Sequence, residues 1–275
     1  MTARLDQKFA ALRRNGRAAL VAYIMASDPD DETCFNILRG LPAAGADVIE
    51  LGFPFTDPMA DGPSIQKAAL RALKAGGSLQ KTLDLARRFR ETNADTPLIL
   101  MGYANPIESM GYESFARAMH AAGADGAIVV DLPPEEDAPL RAAFAQHDLS
   151  IIRLATPTTD DNRLTKVLDG ASGFLYYVSV AGVTGAQAAA ATAVRAAVQR
   201  LKRATDLPVA VGFGVREPEA ARAIATTADA VVVGSAFVDE INPEDAKGST
   251  DRVLRKVRLL SEAVRSARAL EGTPA

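Results

Sequence analysis

The sequence contains few of the residues from which thiol and metal sites are built, with one cysteine and two histidines among 275 residues. The single cysteine, Cys34, excludes an intrachain disulfide, and its place in a predicted helix (Asp30 to Leu41) favours packing over nucleophilic chemistry. Both histidines, His120 and His147, fall in helix-like segments, so we expect no zinc site built on histidine and cysteine. The sequence also lacks the nucleophile-elbow pattern that accompanies many Ser/His/Asp triads.

Long apolar runs and an excess of positive charge are missing as well. No apolar run approaches the roughly 20 residues that span a bilayer. The first residues carry no apolar signal core, and Leu5, Phe9 and Leu12 predict a short amphipathic helix there instead. The 31 basic and 34 acidic residues give a net charge of −3, without a basic patch for nucleic acid. We therefore expect a cytoplasmic protein that binds neither membranes nor nucleic acids.

Short apolar, β-branched runs alternate with segments of helical spacing along the chain. This alternation, without a long low-complexity linker, indicates right-handed βαβ units and a parallel sheet. The length and the hydrophobic share of 48% suit one large α/β domain. The eight predicted strands are Leu20–Ala26, Val48–Phe53, Leu98–Tyr103, Ala127–Asp131, Ile151–Ala155, Phe174–Val180, Val209–Phe213 and Ala230–Val233.

Eight such units favour a closed (β/α)8 barrel over an open, doubly wound sheet. An open sheet that binds a dinucleotide should carry G-x-G-x-x-G after its first strand, and Ala22–Pro29 contains no glycine. We expect a single TIM-barrel domain over residues 1–275, with an additional N-terminal helix and a short helix that starts near Ser235 after strand eight. An amphipathic helix over Asp251–Leu270 is predicted to close the chain.

Three similar phrases precede predicted strands: Ala44–Asp47, Ala122–Asp125 and Thr227–Asp229. Two of them contain a glycine, which the left-handed backbone conformation at a helix end favours. Such helix-to-strand turns lie at the stabilising end of a barrel, so we interpret them as structural.

Two carboxylates lie close together in the sequence, Glu50 inside the second predicted strand and Asp61 in the loop after it. A charge in a strand buried on both faces is costly unless it has a partner or a task. Alternation places Glu50 on the same face as Val48 and Gly52. A paired structural acid at Glu50, and turn-capping at Asp57 and Asp61, remain alternatives at this point.

Glycines recur where strands six, seven and eight are predicted to end, as Gly182–Gly185, Gly212–Gly214 and Gly234-Ser235. Barrel active sites form at these carboxyl ends, often with a phosphate site after strands seven and eight. Glycine lets backbone N–H groups approach an anion closely, although turns often need glycine for their own geometry. The barrel precedent favours a phosphate site.

The predicted wall between the carboxylates and the glycines is apolar and aromatic, which suits a flat ring. Some of its residues must be ordinary barrel filling. No lysine for a Schiff base falls at a strand end, and metal ligands are missing, so an aldolase would need its electron sink in the substrate. An indole ring protonated at C3 supplies one. The wall residues are Tyr23, Met101, Tyr103, Ile128, Val130, Leu154 and Tyr176.

The chain closely resembles the alpha chain of tryptophan synthase in motifs that run from about Tyr23 to Ser235. Jointly these motifs are far more specific than any single glycine pattern. The resemblance implies the retro-aldol cleavage of indole-3-glycerol phosphate to indole and glyceraldehyde 3-phosphate, without metal or Schiff base. The matching motifs are Glu50-Leu51-Gly52, Pro54-Phe55-Thr56-Asp57-Pro58, Ala60-Asp61-Gly62-Pro63, Tyr103-Ala104-Asn105-Pro106, Asp131-Leu132-Pro133, Ser179 with Gly182-Val183-Thr184-Gly185, Gly212-Phe213-Gly214 and Gly234-Ser235.

By this resemblance Glu50 is the general acid/base, with a raised pKa, and Asp61 stays ionised and stabilises positive charge at the indole nitrogen. Tyr103 and Tyr176 help to hold the substrate. Thr184 lies in a loop that closes over the site and hydrogen-bonds the aspartate. The phosphate is expected at Gly185, Gly212, Phe213, Gly214, Gly234 and Ser235.

The resemblance also implies a beta-chain partner that holds pyridoxal phosphate, in a heterotetramer of two alpha and two beta chains, while this chain carries no cofactor. The expected partner surface includes Pro54, Asp57, Asn105 and Pro133. Val180-Ala181 stands where some members have Arg-Ser, so loop closure and coupling to the partner could differ here.

Two alternatives to this function are a different phosphate-binding enzyme and a non-catalytic barrel. Another phosphate-binding barrel, such as indole-glycerol-phosphate synthase, should carry a catalytic lysine at a strand end, which is missing here. A non-catalytic ligand-sensing or scaffolding barrel would not need both Glu50 and Asp61, although a fold alone never fixes function.

Overall fold

In the computed structural model, the chain forms a parallel β-sheet surrounded by helices, described over residues 3–179, 187–212 and 214–268. Its strands are β1 (Ala19–Met25), β2 (Val48–Gly52), β3 (Leu98–Gly102), β4 (Gly126–Val129), β5 (Ser150–Ile151), β6 (Arg153–Ala155), β7 (Leu175–Val178), β8 (Val209–Gly212) and β9 (Ala230–Val233). The fifth predicted strand is divided at Ile152 into β5 and β6. The predicted strands six, seven and eight are therefore β7, β8 and β9.

The strand pairing closes the sheet into a barrel. The strand order is β5-β4-β3-β2-β1-β9-β8-β7-β6, and every pair is parallel. The two ends of this order, β5 and β6, are consecutive segments of one extended stretch. Ile152 joins them, and its backbone N–H donates to the Ala127 carbonyl at 3.0 Å. The predicted eight-stranded barrel is thereby confirmed.

Helices fill the connections between strands. They are α1 (Ala3–Arg14), α2 (Asp31–Ala44), α3 (Pro63–Lys74), α4 (Leu79–Thr92), α5 (Ala104–Met110), α6 (Tyr112–Ala121), α7 (Ala138–Gln146), α8 (Asp161–Leu168), α9 (Gln187–Ala204), α10 (Pro218–Ala225), α11 (Ser235–Val238) and α12 (Ala246–Ser266). The predicted N-terminal helix is α1 and the predicted short helix is α11. Among the described residues, no helix is long and apolar enough to cross a membrane.

The closing helix α12 begins five residues before the predicted start at Asp251. The carboxylate of Asp245 accepts the backbone N–H of Gly248 at 2.9 Å, and this cap starts the helix at Ala246. The first turn is polar and contains a glycine, so apolar spacing alone could not reveal it.

Alternation along the strands separates two packing layers. Ile49 and Leu51 face the helical layer, whereas Val48 packs inside the barrel. Helix α1 covers one end of that interior, where the rings of Phe9 and Phe174 lie with their centroids 5.9 Å apart. Because α1 closes this end, the carboxyl ends of the strands remain for a site.

Aspartates at the starts of three strands stabilise the opposite end of the barrel. The carboxylates of Asp47, Asp125 and Asp229 accept the backbone N–H groups of Leu20, Leu98 and Val209, respectively, at 3.0, 2.8 and 2.9 Å. Each carboxylate also pairs with at least one basic side chain. The three repeated phrases therefore serve the structure, as predicted.

We expect Asp125→Asn to lower the free energy of unfolding by about 2–3 kcal/mol, because buried charge-assisted hydrogen bonds are worth that much. The carboxylate of Asp125 is buried and pairs with Arg4 at 2.8 Å and Arg90 at 3.2 Å, and asparagine cannot neutralise either. Urea unfolding followed by circular dichroism measures the change. The control is Asp84→Asn, whose ion pair with Arg87 is exposed and should change stability by less than about 1 kcal/mol. Equal losses in the two variants would contradict the prediction.

Candidate active site

A cavity of about 490 Å³ opens at the carboxyl ends of the strands. Its wall includes Glu50 and Asp61, from β2 and the loop after it, and Gly214, Gly234 and Ser235, from the ends of β8 and β9. A larger, more open groove of about 820 Å³ lies outside the barrel between α2, α4 and α12. None of the predicted site residues that the structure describes lines that groove, so the barrel-end cavity is the candidate site.

Glu50 reaches the cavity from the middle of β2, where its register partners are Tyr23 on β1 and Ile99 on β3. The residue is 1% exposed, and its Oε1 atom has no hydrogen-bond partner within the described part of the chain. Burial raises the pKa of Glu50 to about 8. The carboxyl group therefore holds its proton near neutral pH and can both give and accept one.

Asp61 lies in the loop between β2 and α3. Hydrogen bonds hold the loop, among them those from the Ala60 N–H to the Tyr103 hydroxyl at 3.0 Å and from Gln66 to the Asp61 carbonyl at 2.8 Å. Burial raises the pKa of Asp61 to about 6, against the opposing effect of a hydrogen bond with Tyr103. The side chain is thus mainly ionised at pH 7, unlike Glu50.

Two tyrosines lie beside the carboxylates. Burial, followed by the charges of Asp61 and Glu50, raises the pKa of Tyr23 well above its ordinary value. Burial and Glu50 have the same effect on the pKa of Tyr176. Both hydroxyls stay protonated and can donate hydrogen bonds in the cavity.

Glycines at two strand ends make room for these hydroxyls. A Cβ atom on Gly52 would lie 2.3 Å from the Tyr23 hydroxyl, and one on Gly212 would lie 2.5 Å from the Tyr176 hydroxyl. Gly212 is not part of the cavity wall, and its carbonyl accepts the backbone N–H and the hydroxyl of Ser179 at 3.0 and 3.1 Å. The close approach of the Tyr176 hydroxyl therefore explains why a glycine stands at position 212.

Five of the seven residues predicted for the aromatic and apolar wall line the cavity, and the other two do not. Tyr103 packs against Phe55, with ring centroids 5.3 Å apart, and its hydroxyl accepts the Ala60 N–H of the Asp61 loop. Ile128 is fully buried among the barrel-filling side chains. The wall residues that line the cavity are Tyr23, Met101, Val130, Leu154 and Tyr176.

Three of the six residues predicted to bind phosphate line the cavity. Gly214, Gly234 and Ser235 line the cavity at the ends of β8 and β9. Gly214 has a φ of +77°, a backbone conformation that favours glycine. Thr184, Gly185 and Phe213 lie outside the described residues, as does Val180-Ala181.

Several wall residues were not predicted. Val178 is the last residue of β7, Thr156 directly follows β6, and Arg216 lies in the loop after β8. Their positions in the sequence could have indicated them, because barrel sites form where strands end. Ser64 and Ile65 lie in the first turn of α3, which begins at Pro63 after the Asp61 loop. The unpredicted residues of the wall are Ala60, Gly62, Pro63, Ser64, Ile65, Thr156, Val178, Arg216 and Val232.

The loops expected to meet a partner surround the mouth of the barrel. Asp57, Asn105 and Pro133 are exposed, whereas Pro54 is buried. Met59, between Asp57 and the Asp61 turn, is 82% exposed, the largest value among the exposed large hydrophobic side chains that the structure describes. The surface thus combines a charge, an amide and an apolar side chain.

Comparisons with known proteins agree over nearly the whole chain. The family model for the tryptophan synthase alpha chain matches residues 9–267. The tryptophan synthase alpha chain of Caulobacter sp. (strain K31) is 58% identical over 267 residues, covering 96% of this chain and 97% of the relative. That of Phenylobacterium zucineum (strain HLK1) is 59% identical over 268 residues, covering 97% of each. Among solved structures, tryptophan synthase subunit alpha from Legionella pneumophila str. Paris matches with a TM-score of 0.88 at 39% identity, covering 96% of this chain and 99% of that one.

We expect Glu50→Gln to remove a pH dependence of stability. Between the ordinary pKa of 4.5 and the folded-state pKa of about 8, the folded protein keeps a proton that the unfolded chain has released. Wild-type stability should therefore fall with rising pH by about 1.4 kcal/mol per pH unit in this window, relative to Glu50→Gln. Urea unfolding at several pH values measures the difference, with exposed Glu91→Gln as the control. Parallel curves for wild type and Glu50→Gln would contradict the burial of an uncharged carboxyl group.

Proposed function

Because the chain belongs to the tryptophan synthase alpha chain family, we propose that Glu50 and Asp61 are the groups that cleave indole-3-glycerol phosphate to indole and glyceraldehyde 3-phosphate. This cleavage is the alpha reaction and makes the protein a lyase of tryptophan biosynthesis. The observation that supports the assignment most strongly is the buried Glu50 carboxyl group, whose Oε1 atom has no partner among the described residues, in the same cavity as Asp61. Two neighbouring acids with different pKa values suit one proton-transferring group and one charge-stabilising group.

Glu50 transfers the protons of the reaction in this proposal. A proton is added at C3 of the indole ring, and another leaves the hydroxyl on the carbon attached to C3. The carbon–carbon bond then breaks, the hydroxyl carbon becomes the aldehyde of glyceraldehyde 3-phosphate, and the bonding electrons return to the ring. A pKa of about 8 lets one carboxyl group act first as an acid and then as a base near neutral pH.

Asp61 stabilises the positive charge that C3 protonation creates on the indole nitrogen. Its lower pKa of about 6 keeps it ionised while Glu50 is protonated. The carboxylate accepts the indole N–H, an interaction that strengthens as the charge develops. The contact between Ala60 and Tyr103 fixes the loop and hence this carboxylate.

The aromatic wall and the strand ends hold the two halves of the substrate. The indole ring fits between the Tyr23 and Tyr176 side of the cavity and the aliphatic residues opposite. The phosphate binds at Gly214, Gly234 and Ser235, whose backbone N–H groups suit an anion.

Membership of the family also implies partnership with a beta chain. We propose that the complex contains two alpha and two beta chains and that pyridoxal phosphate is held by the beta chain, where it supplies the chemistry that consumes indole. The surface proposed for this partner comprises Asp57, Met59, Asn105 and Pro133, the exposed residues around the barrel mouth.

We expect Glu50→Gln to lower kcat for indole release by about 100-fold or more, because a positioned general acid/base contributes at least that much. Asp61→Asn should lower kcat by about 100-fold through loss of charge stabilisation. Indole release from indole-3-glycerol phosphate is the assay, substrate affinity is measured in parallel, and exposed Glu91→Gln is the control. Retention of most activity by Glu50→Gln would disprove its assignment as the acid/base.

We expect a beta chain to accelerate indole release and Met59→Asp to weaken that acceleration, because a charge in a docked apolar contact must be desolvated. Cleavage by the isolated chain should be unchanged, since Met59 is not part of the cavity wall. The matched control is Leu259→Asp, which changes another exposed apolar residue, 48% exposed, on α12. Titration of each variant with beta chain gives the apparent affinity, and equal effects of the two changes would contradict the proposed surface.

A further inference from the structure

Arg216 is the one basic side chain on the described wall of the cavity. It lies in the loop after β8, two residues beyond Gly214, at the end of the cavity that Gly234 and Ser235 also line. Its side chain is 49% exposed, so the guanidinium is accessible to a ligand at the rim. Neither the proton transfers nor the packing of the barrel requires a cation at this position.

Asp239 holds the guanidinium at the rim. Its Oδ2 atom pairs with Arg216 and accepts the hydroxyl hydrogen bond of Ser64 at 3.0 Å. Asp239 directly follows α11, which begins at Ser235, so the two residues are separated by about 6 Å along the helix axis. The ion pair therefore lies at the same edge of the cavity as the proposed phosphate residues.

The charges along the cavity wall are unfavourable for an anionic substrate unless a cation takes part. A phosphate monoester carries a charge of about −1.5 to −2 at pH 7, and the same cavity contains the ionised Asp61. Gly214 and Gly234 can offer only the partial positive charges of backbone N–H groups. A guanidinium offers a full charge and paired donors that match phosphate oxygens.

Asp239 is a suitable counter-ion for Arg216. Although partial burial alone would raise its pKa, hydrogen bonds from Arg216 and Ser64 hold the pKa of Asp239 below its ordinary value. It is therefore a carboxylate at neutral pH. An anion that enters the cavity competes with this carboxylate for the guanidinium.

We propose that Arg216 recognises the phosphate group of the substrate by donating hydrogen bonds to it, and that Asp239 is the counter-ion that positions the guanidinium until the phosphate arrives. This inference rests on the proposed function, which puts the phosphate at Gly214, Gly234 and Ser235. It adds to those residues the one full positive charge on the described cavity wall. Asp239 is a positioning residue in this arrangement and does not contact the substrate.

The test compares Arg216→Gln, Arg216→Lys and Asp239→Asn in the full chain. The probes are glycerol 3-phosphate, which carries the phosphate, and indole, which does not, and calorimetric titration gives the dissociation constants. Arg216→Gln should weaken glycerol 3-phosphate binding about tenfold or more, the loss expected for a charge-assisted hydrogen bond. Indole binding should stay within about twofold. Arg216→Lys should recover part of the loss because it restores the charge.

The Asp239→Asn variant distinguishes phosphate recognition by Arg216 from a purely structural role of the ion pair. If Arg216 recognises phosphate, removal of the competing carboxylate should tighten glycerol 3-phosphate binding, opposite in sign to Arg216→Gln. If the pair only joins two loops, both variants should weaken binding of both probes. The matched control, Arg163→Gln, breaks a similarly exposed ion pair with Glu135 outside the cavity and should change neither affinity.

The outcomes distinguish this inference from the proposed function. If the wild-type protein releases indole, and if it and the Arg216→Gln variant bind glycerol 3-phosphate with equal affinity, only the assignment of Arg216 is overturned. Wild-type protein that neither releases indole nor binds the phosphate probe would overturn both proposals. Circular dichroism verifies folding. If Arg216→Gln fails to fold, the other two variants still test the inference, because Arg216→Lys should weaken glycerol 3-phosphate binding and Asp239→Asn should tighten it.

Discussion

The burial of one carboxyl group inside the barrel is the constraint on which the site depends. Glu50 lies in the middle of β2, almost inaccessible to solvent, with an oxygen that no described residue bonds. Ionisation there is costly, so the group keeps its proton to about pH 8. A fold selected only for stability would replace such a residue with an apolar one. Its presence at the cavity wall is therefore best explained by chemistry.

The other groups of the cavity differ from this carboxyl group in their burial and chemistry. Asp61 approaches from a loop and is partly solvated, so its pKa stays lower than that of Glu50. Tyr23 and Tyr176 line the same cavity, and Gly52 and Gly212 leave room for their hydroxyls. The cavity wall thus combines acidic groups, aromatic side chains and glycines.

Much of the fold could be predicted because hydrophobic spacing is a local property. Short segments were enough to predict helix α1 and the placement of Glu50 on the same strand face as Val48. The division of the fifth predicted strand at Ile152 was not, since it arises where two neighbouring strands pair with its two halves. The start of α12 was missed because a single capping carboxylate, Asp245, sets it.

By itself, the sequence determined which residue types were available at the strand ends, and its motifs indicated the family and the two acids. Only the tertiary structure decided which of those residues share one cavity. Ile128 and Gly212 differ little from Val130 and Gly214 in sequence, yet the first two pack in the barrel while the others line the site. The inference about Arg216 depends on its ion pair with Asp239, which also binds Ser64, and both residues are far from Arg216 in the chain. Contacts between distant segments depend on the closure of the barrel, and no local pattern encodes that.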